Sequence, residues 1–320
     1  MANHGRALPY NRQPESFRRR SAMSDESSRR VVRLINFFAA HPTESFTLSE
    51  VVDQLSLSAG SAHRALKALT DTRYLARHPK HKTYSLGLAL VAIGQAALER
   101  HPAVNIARAE MAKLTADLDL QCVATALVGD ELMSLAKTGD TPADQGIRHV
   151  GERRPFVPPL GLGHAAWSTP ERIDAYLAKI ASRSARRDAE MRAHMRKSLA
   201  AIRARGYALA ANGPAMKSVW QMIWEYATHF RNERYWAQMH RLLGALSNDE
   251  LQLLSLDHVG AARVAYISAP VFSPSGEVLL SISLSGFTRK LDARAVARIA
   301  ERVCEAAARV TDSARGPVRT

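Results

Sequence analysis

The chain has 320 residues, 46% of them hydrophobic, which is enough for two domains with separate cores. Its formal net charge is +14, and residues 29–86 hold nine Lys or Arg against four Asp or Glu, so the charge is densest on one short segment. Two cysteines exclude a disulfide framework, no run approaches the roughly 18 apolar residues of a membrane span, and the arginine-bearing N-terminus lacks the apolar core of a signal peptide. These features predict a cytoplasmic protein with no membrane association and a polyanionic partner.

Residues 1–27 lack apolar periodicity and are rich in Arg, Ser, Pro and Asn, as expected of a disordered tail. Val31, Leu34, Ile35 and Phe38 then mark one face of a first helix that ends near Pro42. From Thr47 to Leu86 the pattern is denser. Leu48, Val51, Val52 and Leu55 form a helical stripe, and Thr47 with Glu50 three residues on reads as a capping box. Ser56-Leu57-Ser58 breaks the period, and Ser58 is placed to cap a second helix with Ala62, Ala65, Leu66 and Leu69 inward. Its outward face carries Ser61, Arg64, Lys67 and Asp71, with His63 beside it. Two helices across a three-residue turn give helix-turn-helix geometry, whose second helix enters the major groove. The segment Arg73–Leu86 reads as a two-stranded wing with a basic tip at His78–Lys82. The expected DNA contacts are Ser58, Gly60, Ser61, His63, Arg64, Lys67, Arg77, Lys80, Lys82 and Tyr84.

Leu88–Arg100 is a further helix, rich in small residues, that stops at His101-Pro102 and suits a dimer contact. Beyond it helices and antiparallel hairpins interleave, which makes this half α+β. Gln121–Val128 and Leu132–Lys137 form one hairpin, Gly146–Val150 reads as a strand, and Arg154–Trp167 reads as a Pro-rich loop followed by a helical turn. Glu171–Lys179 and Ala189–Arg205 are helical, with Gly206 as C-terminal cap before a strand at Tyr207-Ala208-Leu209. Val264–Phe272 and Val278–Ser285 form a second hairpin, and Asp292 caps a last amphipathic helix.

Several short stretches together resemble the IclR-type transcriptional regulators. They are Leu48-Ser49-Glu50-Val51, His63-Arg64-Ala65-Leu66, Tyr84-Ser85-Leu86-Gly87, Leu162-Gly163-His164-Ala165, Arg205-Gly206-Tyr207, Ala269-Pro270-Val271 and Ser283-Leu284-Ser285-Gly286. The resemblance covers about residues 29–210 and 262–312. It implies a winged helix-turn-helix domain over 28–87, a linker and dimerisation helix over 88–102, and a GAF-like effector-binding domain over 103–314. It also implies a homodimer or dimer of dimers on a partly palindromic double-stranded DNA operator, acting as repressor or activator.

The chain departs from the family pattern in two places. Ala211-Asn212-Gly213 stands where acidic residues are usual, and Tyr266 stands where a cysteine is usual. Between them lies an insertion, about 214–260, that holds Trp220, Trp224, Tyr226, Phe230, Tyr235 and Trp236. Two readings of it stay open: extra helices with an aromatic core, or aromatics that wall an enlarged pocket. The expected effector contacts are Leu127, Leu162, Gly163, His164, Trp220, Trp224, Tyr266 and Ser268, around a small, apolar or aromatic metabolite. His164 is also placed to anchor a carboxylate.

No phosphate loop or nucleophile elbow stands in the sequence, and His78 and His81 lack cysteine or carboxylate neighbours at metal spacing. Catalytic residues, metal ligands and cofactors are therefore not expected. The rival reading is a small-molecule-binding protein or enzyme whose N-terminal domain serves assembly.

Overall fold

The computed structural model describes residues 15–141, 146–182, 184–225, 233–260 and 263–315. Side chains of 15–25, 258 and 315 lie outside this description. The chain divides between Leu90 and Val91 into two compact units.

Unit 1 is built from α1 (Glu15–Ala40), α2 (Leu48–Leu55), α3 (Ala59–Asp71) and a wing of β1 (Leu75–Arg77) and β2 (Tyr84–Leu86). The first helix starts ahead of its expected position and takes in residues 15–27 of the segment read as a tail; residues 1–14 lie outside the described residues. The capping box at α2 is present: Glu50 N–H donates to Thr47 Oγ1 at 3.3 Å, and Thr47 N–H donates to Glu50 Oε2 at 2.7 Å. Ser56 follows in the left-handed region at φ 50° and turns the chain toward α3. The expected Ser58 side-chain cap is not made. Instead the Ser58 carbonyl accepts from Ser61 and Ala62 N–H. Three helix stripes and the wing close one core of Leu34, Phe37, Phe38, Val51, Leu55, Leu66, Leu69, Leu75 and Tyr84. Each large apolar side chain fully buried there contributes about 1.5–3 kcal/mol.

The division of the chain falls within α4 (Ala89–Arg100), in which no residue is buried. Unit 2 continues with α5 (Pro102–Leu118), β3 (Gln121–Val128), β4 (Glu131–Thr138), β5 (Arg153–Pro155), α6 (Leu162–Ala165), α7 (Pro170–Ala178) and α8 (Ala185–Arg205). Then come β6 (Ala208–Asn212), α9 (Pro214–Glu225), α10 (Glu233–Gly244), α11 (Asn248–Leu251), β7 (Arg263–Phe272), β8 (Val278–Ser285) and α12 (Ala293–Arg315). Six strands form one antiparallel sheet in the order β5-β4-β3-β8-β7-β6.

Strand alternation sorts this sheet into two chemically different faces. Cys122, Ala124 and Ala126 of β3, Ile267, Ala269 and Val271 of β7, and Leu280, Ile282 and Leu284 of β8 share a core with residues of α5 and α12. The residues between them point the other way, and they include Thr125, Ser268, Ser281, Ser283 and Ser285. On that side Leu162, Ala165, Ile173, Leu199, Val219, Met239 and Leu251 build a second core from α6 to α11.

Two expectations need correction. Gly146–Val150 is not a strand; β5 takes that edge instead, pairing Glu131 with Pro155 and Met133 with Arg153. The reason is local. The Ile147 backbone N–H and carbonyl are both bonded to the Gln121 side-chain amide at 2.9 Å, so its partner is a side chain rather than a strand. Arg154 accordingly sits in a strand and not in a loop. The insertion does form two helices, α9 and α10, followed by α11, which a capping box of Ser247 and Glu250 starts. Tyr235 is core, while Trp220 and Trp236 lie at its margin; Tyr226 and Phe230 fall outside the described residues.

Candidate nucleic-acid interface and effector pocket

In unit 1, Ala62, Leu66 and Leu69 of α3 face the core, which turns His63, Arg64 and Lys67 outward. Arg64 donates from Nη2 to Ser61 Oγ at 3.3 Å, and an alanine methyl at Gly60 would lie 3.7 Å from Arg64 Nη1. The start of α3 is thus small and open, with one guanidinium laid across it. Lys67 pairs with Asp71 at 2.6 Å, but both side chains are more than half exposed, so phosphate can replace the carboxylate at little cost. In the wing, His78 Nδ1 accepts from Lys80 and His81 N–H at 3.2 and 3.1 Å, and the two imidazoles lie 4.6 Å apart. That turn leaves Lys80 and Lys82 exposed at the tip.

In unit 2, a cavity of about 100 Å³ opens between the hydroxyl-bearing face of the sheet and the elements α6 and α9. Val123, Leu132, Leu160, Leu162, Met216 and Leu251 supply apolar wall. Thr125, Ser268, Ser281, Ser283 and Ser285 supply hydroxyls from three neighbouring strands, with Thr125 opposite Ser281 and Ser268 opposite Ser283. Ser283 donates to Ser268 Oγ at 2.7 Å. Gly161 begins α6 at φ 85°, where a side chain would also strike the Phe156 ring at 2.6 Å.

Arg154 of β5 is the one charged lining residue among the described residues. Its Nη2 donates to Thr125 Oγ1 at 3.4 Å, and its Nε has no partner. The guanidinium lies over the Trp220 ring, 5.3 Å from the centroid. Trp220 stacks on Trp224 at 6.2 Å, and Arg148 covers the Trp224 ring at 4.2 Å. Burial lowers the Arg154 pKa while the nearby Glu152 carboxylate raises it. Glu152 itself is pushed up by burial, which weakens it as a counter-charge. His164 is buried in the lining, and burial, with the Arg154 charge, lowers its pKa to about 4. The imidazole is therefore neutral at pH 7. Its Nε2 has no hydrogen-bond partner among the described residues.

Residues 27–79 match the family model described as the IclR helix-turn-helix domain. Over those residues the chain carries a helix-turn-helix domain of the IclR type. A curated relative, the HTH-type transcriptional regulator KipR of Bacillus subtilis (strain 168), is 28% identical over 145 residues, 45% of this chain and 57% of KipR. The match thus spans a little over half of that relative's length. An IclR-type regulator structure from Alicyclobacillus acidocaldarius is similar at a TM-score of 0.61 and 18% identity, over 90% of this chain and 98% of that one. An IclR homolog from Microbacterium hydrocarbonoxydans complexed with 4-hydroxybenzoate is similar at a TM-score of 0.62 and 18% identity, over 90% and 99%.

The structure sorts the residues expected from sequence. Ser58, Gly60, His63, Arg64, Lys67, Arg77, Lys80 and Lys82 are exposed and Ser61 is half-buried, so all remain open to a partner. Tyr84 is not. Only 4% exposed, it belongs to the core of unit 1, and the Arg77 guanidinium lies 5.6 Å over its ring. Alternation along β2 puts Tyr84 inward, so its role is packing. Leu162, Gly163, His164, Trp220, Tyr266 and Ser268 come together around the cavity. Leu127 does not: it lies toward the end of β3 and is 36% exposed. Trp224 stands behind Trp220 rather than in the lining. Sequence reasoning missed Arg154, Thr125 and the three serines of β8. The run Ser281-Ile282-Ser283-Leu284-Ser285 carried the signal, since alternate hydroxyls on a strand read as one polar face.

Proposed function

We propose that this chain is a DNA-binding transcriptional regulator whose operator affinity responds to a small molecule held in the unit 2 pocket. The observation that carries the reading is the exposed cationic face of α3, in a domain matched to the IclR helix-turn-helix model. The name of KipR supports the regulatory role, and the 4-hydroxybenzoate complex of the Microbacterium homolog supports a ligand-binding role for this fold. Effector binding shifts DNA affinity only as far as the effector favours one conformation over another. Action on DNA also places the protein in the cytoplasm. Among the described residues no helix is long and apolar enough to cross a membrane.

The test begins with selection of genomic fragments by the purified protein. One or a few fragments should be enriched over random DNA at physiological salt; uniform binding to all fragments would overturn the reading. On the selected fragment, Arg64→Ala should cost about 1–3 kcal/mol and less on random DNA, because a guanidinium near the start of α3 is placed for a base edge. Lys67→Ala should weaken both DNAs alike.

A two-fold operator asks for a two-fold protein. Val91 and Ile93 of α4 are 67% and 45% exposed, and Leu88 just before the helix is 85% exposed. We propose that Leu88 and Val91, one helical turn apart, are covered by a second copy of the chain. Sedimentation at micromolar concentration should give a dimer or larger species, and Val91→Glu should shift it toward monomer. A wild-type species of one chain's mass, 35.2 kDa, refutes the pairing.

A further inference from the structure

The helices α9, α10 and α11 leave the sheet after Asn212 and cover part of the cavity. Met216 and Trp220 of α9 and Leu251 of α11 stand in its lining. A roof of short helices has to be fixed at its root, and one side chain stands there. Glu250 is only 6% exposed. Its Oε2 accepts from Ser247 N–H and Ser247 Oγ, both at 3.0 Å, which closes the capping box of α11. Its Oε1 accepts from Met216 N–H at 3.1 Å. Met216 is the third residue of α9, so its N–H is one of the donors that a helix start leaves without a partner inside the helix. One carboxylate thus caps two helices, and its charge lies at the positive end of α9.

Gly213 belongs to the same arrangement. A methyl built there would lie 2.2 Å from Glu250 Oε1 and 2.4 Å from its carboxyl carbon. The carboxylate could move aside only by giving up bonds that it makes in a buried place. Glycine is needed at 213 for space, since its φ is not among the positive ones.

What this clasp holds is Trp220, one turn beyond Met216 on α9. The Arg154 guanidinium lies 5.3 Å from the centroid of that ring, and its Nε has no hydrogen-bond partner among the described residues. The stack on Trp220 is therefore a main restraint on where this buried cation sits.

We propose that Glu250 is a positioning residue of the pocket: by capping α9 and α11 together it holds Trp220 on Arg154 and so fixes the cation in the lining. This rests on the reading of that cavity as the effector pocket, but its readouts lie within unit 2 and need no DNA.

The test uses the full-length protein and the emission of Trp220, isolated as the difference between each protein and its Trp220→Phe counterpart. Quenching by neutral acrylamide reads the exposure of the ring. Quenching by iodide reads in addition the positive charge beside it, with ionic strength held constant by chloride. Glu250→Gln keeps the length of the side chain but turns one acceptor into a donor. Gly213→Ala displaces the carboxylate without altering it. Both should raise acrylamide quenching of Trp220 by about 2-fold and lower the iodide-to-acrylamide ratio by about 2-fold, as Arg154→Gln lowers that ratio. Deuterium exchange at the Met216 amide should quicken by about 10-fold or more in both. In Glu250→Ala the obstacle to a side chain at 213 is gone, so adding Gly213→Ala should change that exchange by less than about 2-fold. Ser247→Ala is the control: it removes a cap of α11 and leaves the Met216 bond, so it should lower stability without moving Trp220. Far-UV circular dichroism checks folding, and Glu250→Asp, with the charge on a shorter arm, takes the place of a Glu250→Gln that does not fold.

Faster Met216 exchange with an unchanged quenching ratio would overturn the proposal, because Trp220 would then keep its place without the clasp. So would a Ser247→Ala protein whose Trp220 is as displaced as in Glu250→Gln, which is general loosening, or Glu250→Gln and Gly213→Ala proteins that match wild type in every readout. Operator affinity is measured alongside. If the expected changes in unit 2 appear and no small molecule alters operator affinity, the clasp stands and the regulatory reading falls.

Discussion

Phe38→Ala is expected to destabilise unit 1 by about 3–5 kcal/mol and to separate its unfolding from that of unit 2. Phe38 is fully buried, edge-on to Phe37 with centroids 5.3 Å apart, and also meets Phe46 at 6.1 Å. Its ring joins α1 to the core under α2, α3 and the wing. A unit this small has a total stability near the low end of about 5–15 kcal/mol, so the loss removes much of it. The chain supplies its own reporter. All four tryptophans, Trp167, Trp220, Trp224 and Trp236, lie in unit 2, so tryptophan fluorescence follows that unit alone while far-UV circular dichroism follows both. In Phe38→Ala the dichroism transition should begin well below the fluorescence transition. DNA binding should be lost at temperatures where ligand binding to unit 2 persists. A variant whose two signals still change together would show that the units unfold as one.

The sequence was most readable where one element has one buried face. The stripes of α2 and α3, the Thr47–Glu50 capping box and the β3–β4 and β7–β8 hairpins all follow from period and cap chemistry, and they match the structure. It was less readable where a side chain replaces a regular backbone partner. Ile147 looks like a strand residue because it is apolar and β-branched, yet its backbone bonds to Gln121 across 26 residues, which no local pattern shows. Ser58 failed as a cap in the same sense: the backbone carbonyl does the work the hydroxyl was expected to do.

The pocket divides along the same line. Leu162, Gly163 and His164 were found through resemblance, and Trp220 through its place in the insertion. Arg154 was not found, because a basic residue before a proline reads as an exposed loop position. Only the pairing of β5 with β4 puts it in a strand, and only α9 brings Trp220 over it. Of the insertion's aromatics among the described residues, Trp220 lines the cavity. It serves a cation, however, and that changes the chemistry the cavity offers from purely apolar to amphipathic.

The neutral His164 makes unit 2 sensitive to acid. Its pKa falls from an ordinary 6.5 to about 4, first through burial and then through the like charge of Arg154, against a hydrogen bond with the Thr125 backbone. The unfolded chain binds a proton on this imidazole near pH 6.5, whereas the folded one does not until near pH 4. Between those values the unfolded state holds more protons, so stability falls as pH falls. The contribution is fully present above about pH 6.5, and about 2–3 kcal/mol of it is gone by about pH 4.5. Glu152 acts in the opposite direction: its carboxyl is buried and its pKa raised, so it takes up a proton more readily in the folded state. The wild-type curve alone therefore mixes two signs. Comparison with His164→Gln separates them, because Glu152 is common to both proteins. Urea unfolding followed by tryptophan fluorescence at pH 7, 5.5 and 4.5 should show a wild-type stability that drops more steeply than the variant's, by about 2–3 kcal/mol over that span. Parallel curves for the two proteins would mean that His164 takes up its proton at the same pH folded and unfolded, so that burial does not lower its pKa.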